Sequence, residues 1–327
     1  MERRTTLSIP HQSNGDKMIK GTYIYYEDGK EVARSTNIIT KFGKRYLTNF
    51  LAGKVDTANK DMAFGIGSTT ATADDTRLDF EFYRAPVNIY STDIQTDTDG
   101  TTYAVVYKAT IPQDVSGVIS EVGMYPSSRT SSNNYDSKFI SEFANSLDWE
   151  EVGGGNPAEA YANPKIGDTT LEMFSGTGTA KEYVASIIPI DLSGYSKLDS
   201  LSFVYYQNDL NLSNIKIRFY SDVDKYYQVQ IPAGSTIGYK IAENIYLEQL
   251  FAGATNSPDI SSVNRIGIVI TPISGQQTSI GADGLRINDE DTFDPNFGII
   301  SRSVLSSPLY KLTGRTVDVE YRLDLNL

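Results

Sequence analysis

A chain of 327 residues with 41 Asp and Glu against 29 Lys and Arg carries a formal charge of −12, a sign that opposes attraction to nucleic-acid phosphates. It contains no Cys, which removes disulfides, thiolate metal sites and cysteine nucleophiles and leaves packing to hold the fold. At roughly 100–200 residues per domain the length predicts two domains, while 22 Tyr and 13 Phe favour strands and buried contacts between subunits.

Residues 1–17, with Pro10 and Ser13-Asn14-Gly15, read as an arm that needs a partner to become ordered. Met1 to Asp16 hold no apolar run of signal-peptide length, and no stretch of about 18 apolar residues follows. The expectation is a protein made in a cytoplasm and not inserted in a membrane. Thr22–Tyr26 and Glu31–Ser35 flank a turn at Glu27-Asp28-Gly29-Lys30 and predict a hairpin. Phe42, Tyr46, Leu47, Phe50 and Leu51 then recur at helical spacing, with Thr40 as N-cap and Gly53 as stop, so a helix is predicted over 41–52.

Further strands are predicted at 63–67, 78–84, 87–90, 102–111 and 118–125, with a break between the second and third at Ala85-Pro86. Tyr103, Val105, Tyr107, Ala109 and Ile111 share one face of the fourth. Pro126 to Asn134 cannot form a core and mark a boundary or an exposed loop. Beyond it, short strands are predicted at 170–174, 184–190, 200–206, 214–220, 227–231, 245–250, 264–271 and 284–288, the pattern of a β-sandwich or jelly roll. Ile215, Ile217 and Phe219 share one face, as do Ile266, Ile268 and Ile270, and both faces are assigned to its core.

The C-terminal segment alternates strictly, with Val317, Val319, Tyr321, Leu323, Leu325 and Leu327 forming an apolar face about 35 Å long, and such a strand must be paired. It resembles the long early strands more than the short ones before Asp289. The fold class expected is therefore all-β. A discontinuous β-sandwich with one short helix (18–135 and 296–327) receives an inserted jelly-roll domain (165–295) through a boundary region (136–164), with the arm at 1–17.

Asn37-Ile38-Ile39-Thr40-Lys41-Phe42-Gly43, Ala63 to Thr70, Leu78 to Arg84, Ile119-Ser120-Glu121-Val122-Gly123-Met124-Tyr125 and Lys311 to Leu325 occur in an order that resembles a module of tailed-bacteriophage virion proteins, of tail-fibre and baseplate type. In such relatives the Glu-Val-Gly strand is soon followed by a segment like Ile300-Ser301-Arg302. Here roughly 170 residues intervene, consistent with the insertion. The insert resembles a carbohydrate-binding-module jelly roll in Ile280 to Ile287. The resemblance implies a virion structural subunit at a tail, fibre or baseplate, present in several copies and docked to other virion proteins. Capsid decoration and host-glycan adsorption are the alternatives.

Gly65-x-Gly67-Ser68-Thr69-Thr70 has the glycines of a phosphate loop but lacks its Lys, so a glycine strand packed on its neighbour is the stronger reading. His11 is the only histidine and falls in the arm, so a Ser-His-Asp triad or a multi-histidine metal centre would require improbable geometry. Glu142, Asp148, Glu150, Glu151, Glu172 and Asp283 suffice in number for a glycosidase pair, yet any acidic surface offers as much. The expectation is no catalysis. Asp168, Glu172 and Asp283 are the candidate calcium ligands, selected partly on the carbohydrate-module resemblance. Trp149, Tyr161, Tyr205, Tyr206, Tyr226 and Tyr227 are the candidates for glycan stacking or a subunit interface. Strand alternation turns only one member of each adjacent Tyr pair inward.

Overall fold

The structure, a computed structural model, describes residues 19–54, 60–97, 100–126, 138–160, 164–288 and 298–326. The arm at 1–17, with His11, lies outside the described residues. The strands before the boundary are β1 (Ile19–Glu27), β2 (Lys30–Thr36), β3 (Ile38–Ile39), β4 (Lys60–Gly65), β5 (Glu81–Asp97), β6 (Gly100–Ile111) and β7 (Gly117–Pro126), with helix α1 (Lys41–Leu51) after β3. The middle of the chain gives β8 (Lys138–Ser141), β9 (Trp149–Glu151), β10 (Ala158–Ala160), β11 (Thr170–Phe174), β12 (Lys181–Ile190) and β13 (Ser200–Gln207). It continues with β14 (Leu212–Asp222), β15 (Lys225–Pro232), β16 (Gly238–Tyr246), helix α2 (Leu247–Ala252), β17 (Val263–Pro272) and β18 (Ser279–Asn288). The chain closes with β19 (Ser301–Lys311) and β20 (Val317–Asn326).

The architecture is all-β. One antiparallel sheet runs β2-β1-β20-β6-β5-β4-β7-β19-β3 and contains strands from both ends of the chain. The alternating C-terminal strand β20 lies between β1 and β6, with Tyr321 opposite both Tyr23 and Tyr107. Its inward Val317, Val319, Tyr321 and Leu323 join the core formed by Tyr23, Tyr25, Phe64, Ile111 and Ile119. The sheet folds back on itself: Tyr23 Oη and Ser301 Oγ are hydrogen-bonded at 2.8 Å, and Ser303 Oγ donates to the Thr36 carbonyl at 2.8 Å.

The break predicted at Ala85-Pro86 is absent. β5 passes unbroken through it, pairing with β4 over Glu81–Val87 and with β6 over Asn88–Asp97. What looks in sequence like two strands is one strand that changes partner, and the local irregularity is a register shift between Ile89 and Ser91.

α1 starts at Thr40, whose Oγ1 accepts from Gly43 N at 2.9 Å and donates to the Ile299 carbonyl. Gly43, a poor helix former, is required by contact, because a Cβ there would overlap the carbonyl oxygen of Ile300.

Three of the resembling segments, 63–70, 78–84 and 119–125, meet Arg302 in one buried charge cluster. The Glu121 carboxylate accepts from the amides of Gly67, Asp79 and Phe80 at 2.9–3.1 Å, which places the chain's own anion where the phosphate-loop reading would have put a ligand. Arg302 donates to Glu121 at 2.8 Å and 3.1 Å, and pairs with Asp79 at 2.8 Å and Asp75 at 2.9 Å. Burial pushes the Glu121 carboxyl up to about 7 against the pull of Arg302, and Asp79 adds to the rise. The Gly65 and Gly67 positions have no room for a Cβ beside Glu121, Phe80 and Asp79.

Residues 138–288 form two further antiparallel sheets, β10-β11-β18-β13-β16 with β8 also on β18, and β15-β14-β17-β12-β9. They face each other across a core that includes Leu171, Leu201, Phe203, Ile215, Ile217, Phe219, Ile266, Ile268 and Leu285. The strand predicted at 245–250 is instead the end of β16 followed by the short helix α2. There Leu247 and Leu250 recur at a helical spacing of three and both are buried.

The six-stranded sheet turns its outer face to the nine-stranded body. Its outward Ser202, Val204, Asp283 and Arg286 are all buried. Val204 joins Ile66, Phe80 and Ile166 in a small core at the junction. Arg286 donates to the Glu81 carbonyl, Val118 N donates to the Lys165 carbonyl at 2.8 Å, and Arg77 donates to Asn244 at 2.9 Å.

Candidate functional site

With one sheet covered, the outer face of the five-stranded sheet is where side chains of this region gather towards solvent. Ile215, Ile217 and Phe219 of β14 point into the core, so Asn214, Lys216, Arg218 and Tyr220 point out. Register places Tyr226 of β15 and Arg265 of β17 on either side of Tyr220, and Gln228 and Gly267 on either side of Arg218.

These groups form one network. The Tyr220 and Tyr226 rings lie 5.0 Å apart, with the Arg218 guanidinium 4.4 Å from the Tyr226 centroid. Arg218 Nη1 donates to Glu182 at 2.7 Å and its Nε to Gln228 at 3.3 Å, while Tyr220 Oη donates to Glu182. Arg265 lies over Tyr220 and donates to Glu150 at 3.2 Å. Burial, reinforced by the bond to Glu182, pushes the Tyr220 phenol well above its ordinary value, so it remains a protonated donor. Gly267 makes the arrangement possible, because a Cβ there would meet Glu182 Oε1 at 2.6 Å and Tyr220 at 3.0 Å.

Tyr226 presents a half-buried ring beside fixed donors and acceptors. The charges of Arg218 and Arg265 are each matched by a carboxylate. Such a surface suits a neutral, polyhydroxylated ligand, with an apolar C–H face on the ring and hydroxyls on the polar groups around it.

Of the aromatic candidates read from sequence, Tyr226 belongs to this face. Its neighbour Tyr227 points inward, with its Oη donating to the Pro258 carbonyl at 3.0 Å. Tyr205 is likewise in the core, stacked on Phe203 at 5.4 Å, and Tyr206 points out, edge-on to Tyr239 at 5.1 Å. Trp149 is a core residue stacked 4.8 Å from Phe143. Trp149, Tyr205 and Tyr227 contribute their rings to the sandwich interior, as strand alternation expects for one member of each adjacent Tyr pair. Tyr161 lies outside the described residues. The sequence reading missed Arg218, Tyr220, Glu182, Arg265 and Gly267. The signal for the first two was present, since placing Ile215, Ile217 and Phe219 inside puts Arg218 and Tyr220 outside.

The candidate calcium ligands have separate partners. Asp283 is buried at the junction and accepts from the amides of Lys165 at 2.9 Å and Ile166 at 3.3 Å, and burial pushes its carboxyl up to about 7. Asp168 accepts from Thr313 Oγ1 at 2.7 Å, and Glu172 accepts from Asn208 and Ser279, each at 3.3 Å. Among the described residues, no group of three or more His, Cys, Asp or Glu side chains is placed to hold a metal ion. Of the carboxylates considered for glycosidase chemistry, Glu150 is paired with Arg265 and Glu151 with Lys181 at 2.9 Å.

No protein-family model and no curated protein matches the chain. Among solved structures, the chain is similar to a family 11 carbohydrate-binding module from Clostridium thermocellum in complex with a β-1,3-1,4-mixed-linked tetrasaccharide. That likeness has 16% identity and a TM-score of 0.34, and covers 46% of this chain and 95% of the module. A family 30 carbohydrate-binding module is similar at 16% identity over 48% of this chain and 86% of its own, with a TM-score of 0.34. An agarase is similar at 10% identity over 48% of this chain and 25% of the enzyme, with a TM-score of 0.31.

Proposed function

We propose that this chain is a non-catalytic subunit of a tailed-bacteriophage particle whose inserted sandwich binds host-surface glycan. In this reading the nine-stranded body docks at a tail, fibre or baseplate, and the outer face of the five-stranded sheet is the glycan surface. The observation that carries it is the asymmetry of the insert: one sheet is sealed against the body, and the other presents Tyr226, Arg218, Gln228 and Glu182 as a connected aromatic and polar surface.

The topology supports a division of labour. The insert follows β7 and precedes β19, which are neighbours in the body's sheet, so it is presented without interrupting the pairing that builds the docking unit. The virion assignment rests on the resembling segments that meet around Glu121, Arg302 and Thr40. Several copies in one particle would raise a weak single-site affinity by avidity.

The test is a glycan array probed with the full chain and with Tyr226→Ala. Binding to a neutral oligosaccharide by the first, weakened roughly tenfold in the second, supports the proposal. A full chain that binds no glycan in multivalent form refutes it.

A further inference from the structure

The row of side chains that starts at Tyr226 continues beyond Arg265. Tyr226 is opposite Tyr220, Tyr220 opposite Arg265, and Arg265 opposite Ser186, so the row spans about 14 Å at the usual strand spacing. It ends in a groove of about 890 Å³, lined by Ser186, Arg265 and Glu150 of the sheet and by the segment that joins β8 to β9. That size lies within the roughly 300–1,000 Å³ of small-ligand clefts. The groove and the outer face of the sheet are one continuous surface, with the Arg265–Glu150 pair at 3.2 Å between them.

The groove differs from the rest of that surface in carrying aliphatic side chains, with Leu147 81% and Ile188 84% exposed. Leu147 sits on a turn tied from two sides. Its amide donates to Asn145 Oδ1 at 3.0 Å, and Ser146 donates through its amide and Oγ to Glu159 at 3.0 Å and 2.9 Å. Ile188 lies where the pairing of β12 with β17 shifts register between Ser186 and Ile190. Phe143, which also lines the groove, has a φ of 51°, a left-handed conformation that is costly for a bulky residue. Its ring is packed 4.8 Å from Trp149 and 5.8 Å from Phe203. Apolar side chains held in solvent on a tied backbone are preorganised for a ligand that covers them.

The groove also carries acceptors. Glu142 and Asp148 line it, are exposed, and have no ion-pair partner among the described residues. Resting on the glycan reading of the sheet face, we propose that the groove takes an N-acetylhexosamine unit of an oligosaccharide whose other units lie along the row to Tyr226. The acetyl methyl packs against Leu147 and Ile188, and the amide N–H of the same group donates to Glu142 or Asp148. The two carboxylates repel uronic and sialic acids. A sugar bearing only hydroxyls would leave both aliphatic side chains facing water. The length of the row makes the ligand an oligosaccharide and not a single sugar.

The test is an array, probed with the full chain, that presents each oligosaccharide backbone in two matched forms, with an acetamido group or a hydroxyl at the same carbon. The acetamido form of a bound backbone should bind roughly tenfold more tightly than its hydroxyl partner, the discrimination an apolar pocket makes on a group of this size. Leu147→Ser combined with Ile188→Ser, at exposed positions that the fold tolerates, should abolish that preference and leave the hydroxyl forms bound as before. Tyr226→Ala should weaken both forms alike. Equal binding of the two forms, a preference that survives the Leu147 and Ile188 substitutions, or preferred binding of uronic or sialic acids would overturn this inference and leave the glycan face standing. Binding of no glycan at all would overturn both.

Discussion

Replacing Arg302 with Met removes the cation of the buried cluster while keeping its bulk. The guanidinium contacts Glu121, Asp79 and Asp75 within 3.1 Å and is itself almost fully buried, as is Glu121. Removing one partner of a buried pair costs about 3–5 kcal/mol because the other charge is left uncompensated. That is a large share of the roughly 5–15 kcal/mol that holds a typical domain. Glu121→Gln keeps an acceptor for the backbone amides and leaves Arg302 with two carboxylates, so its expected cost is smaller, about 1–2 kcal/mol.

The double variant should cost less than the sum of the two, which a double-mutant cycle in urea measures. The effect should also depend on pH. Below about 7 the folded chain carries a protonated Glu121, so the loss of Arg302 strands less charge at pH 5 than at pH 8. Far-UV circular dichroism reports both units, while Trp149, the only Trp, reports the sandwich core in which it sits. A change at pH 8 below about 1 kcal/mol, against the expected buried-pair cost, or one equal at both pH values, would refute the assignment of the cluster as a buried ionic tie.

Gly43→Ala should destabilise by about 2–3 kcal/mol despite an intrinsic helix gain of about 1 kcal/mol, because the new Cβ meets the Ile300 carbonyl; thermal unfolding measures it. Asp283 and Glu121 both have folded carboxyls raised to about 7 by burial. The stability each contributes is complete below its unfolded value near 4 and is lost as pH rises through about 7. Asp283→Asn should therefore flatten the fall in stability between pH 4 and 8, and a urea series across that range that retains the wild-type slope would contradict it. Gly267→Ala should weaken glycan binding several-fold while changing stability by under about 1 kcal/mol, since the side chains its Cβ meets are Glu182, Tyr220 and Val184; calorimetric titration beside a melting curve separates the two effects.

Elements with a strong period were legible before the structure. The helix shows in Thr40 and the spacing of Phe42, Tyr46 and Phe50, and β20 shows in its unbroken alternation. Ala85-Pro86 misled because Pro suggests a break, yet β5 only exchanges β4 for β6 nearby. Residues 245–250 misled because Ile245, Leu247 and Leu250 are buried by both a strand end and a helical turn, which a short window does not separate. β9 and β10, three residues each, are too short to carry a period. The outer face of the five-stranded sheet was legible at Tyr226 and obscure elsewhere, since Glu182, Arg218 and Arg265 come from three strands and meet only through register. Trp149 attracted attention by residue type, but its ring packs on Phe143 in the core.

The central claim is most directly tested by titrating the isotope-labelled full chain with the oligosaccharide that binds best and mapping backbone amide shifts by nuclear magnetic resonance. The account predicts shifts concentrated in residues 214–220, 226–230, 265–269 and 182–186, and their loss in Arg218→Ala. Shifts centred on β13 and β18 at the junction, or no shifts with any glycan, would contradict it.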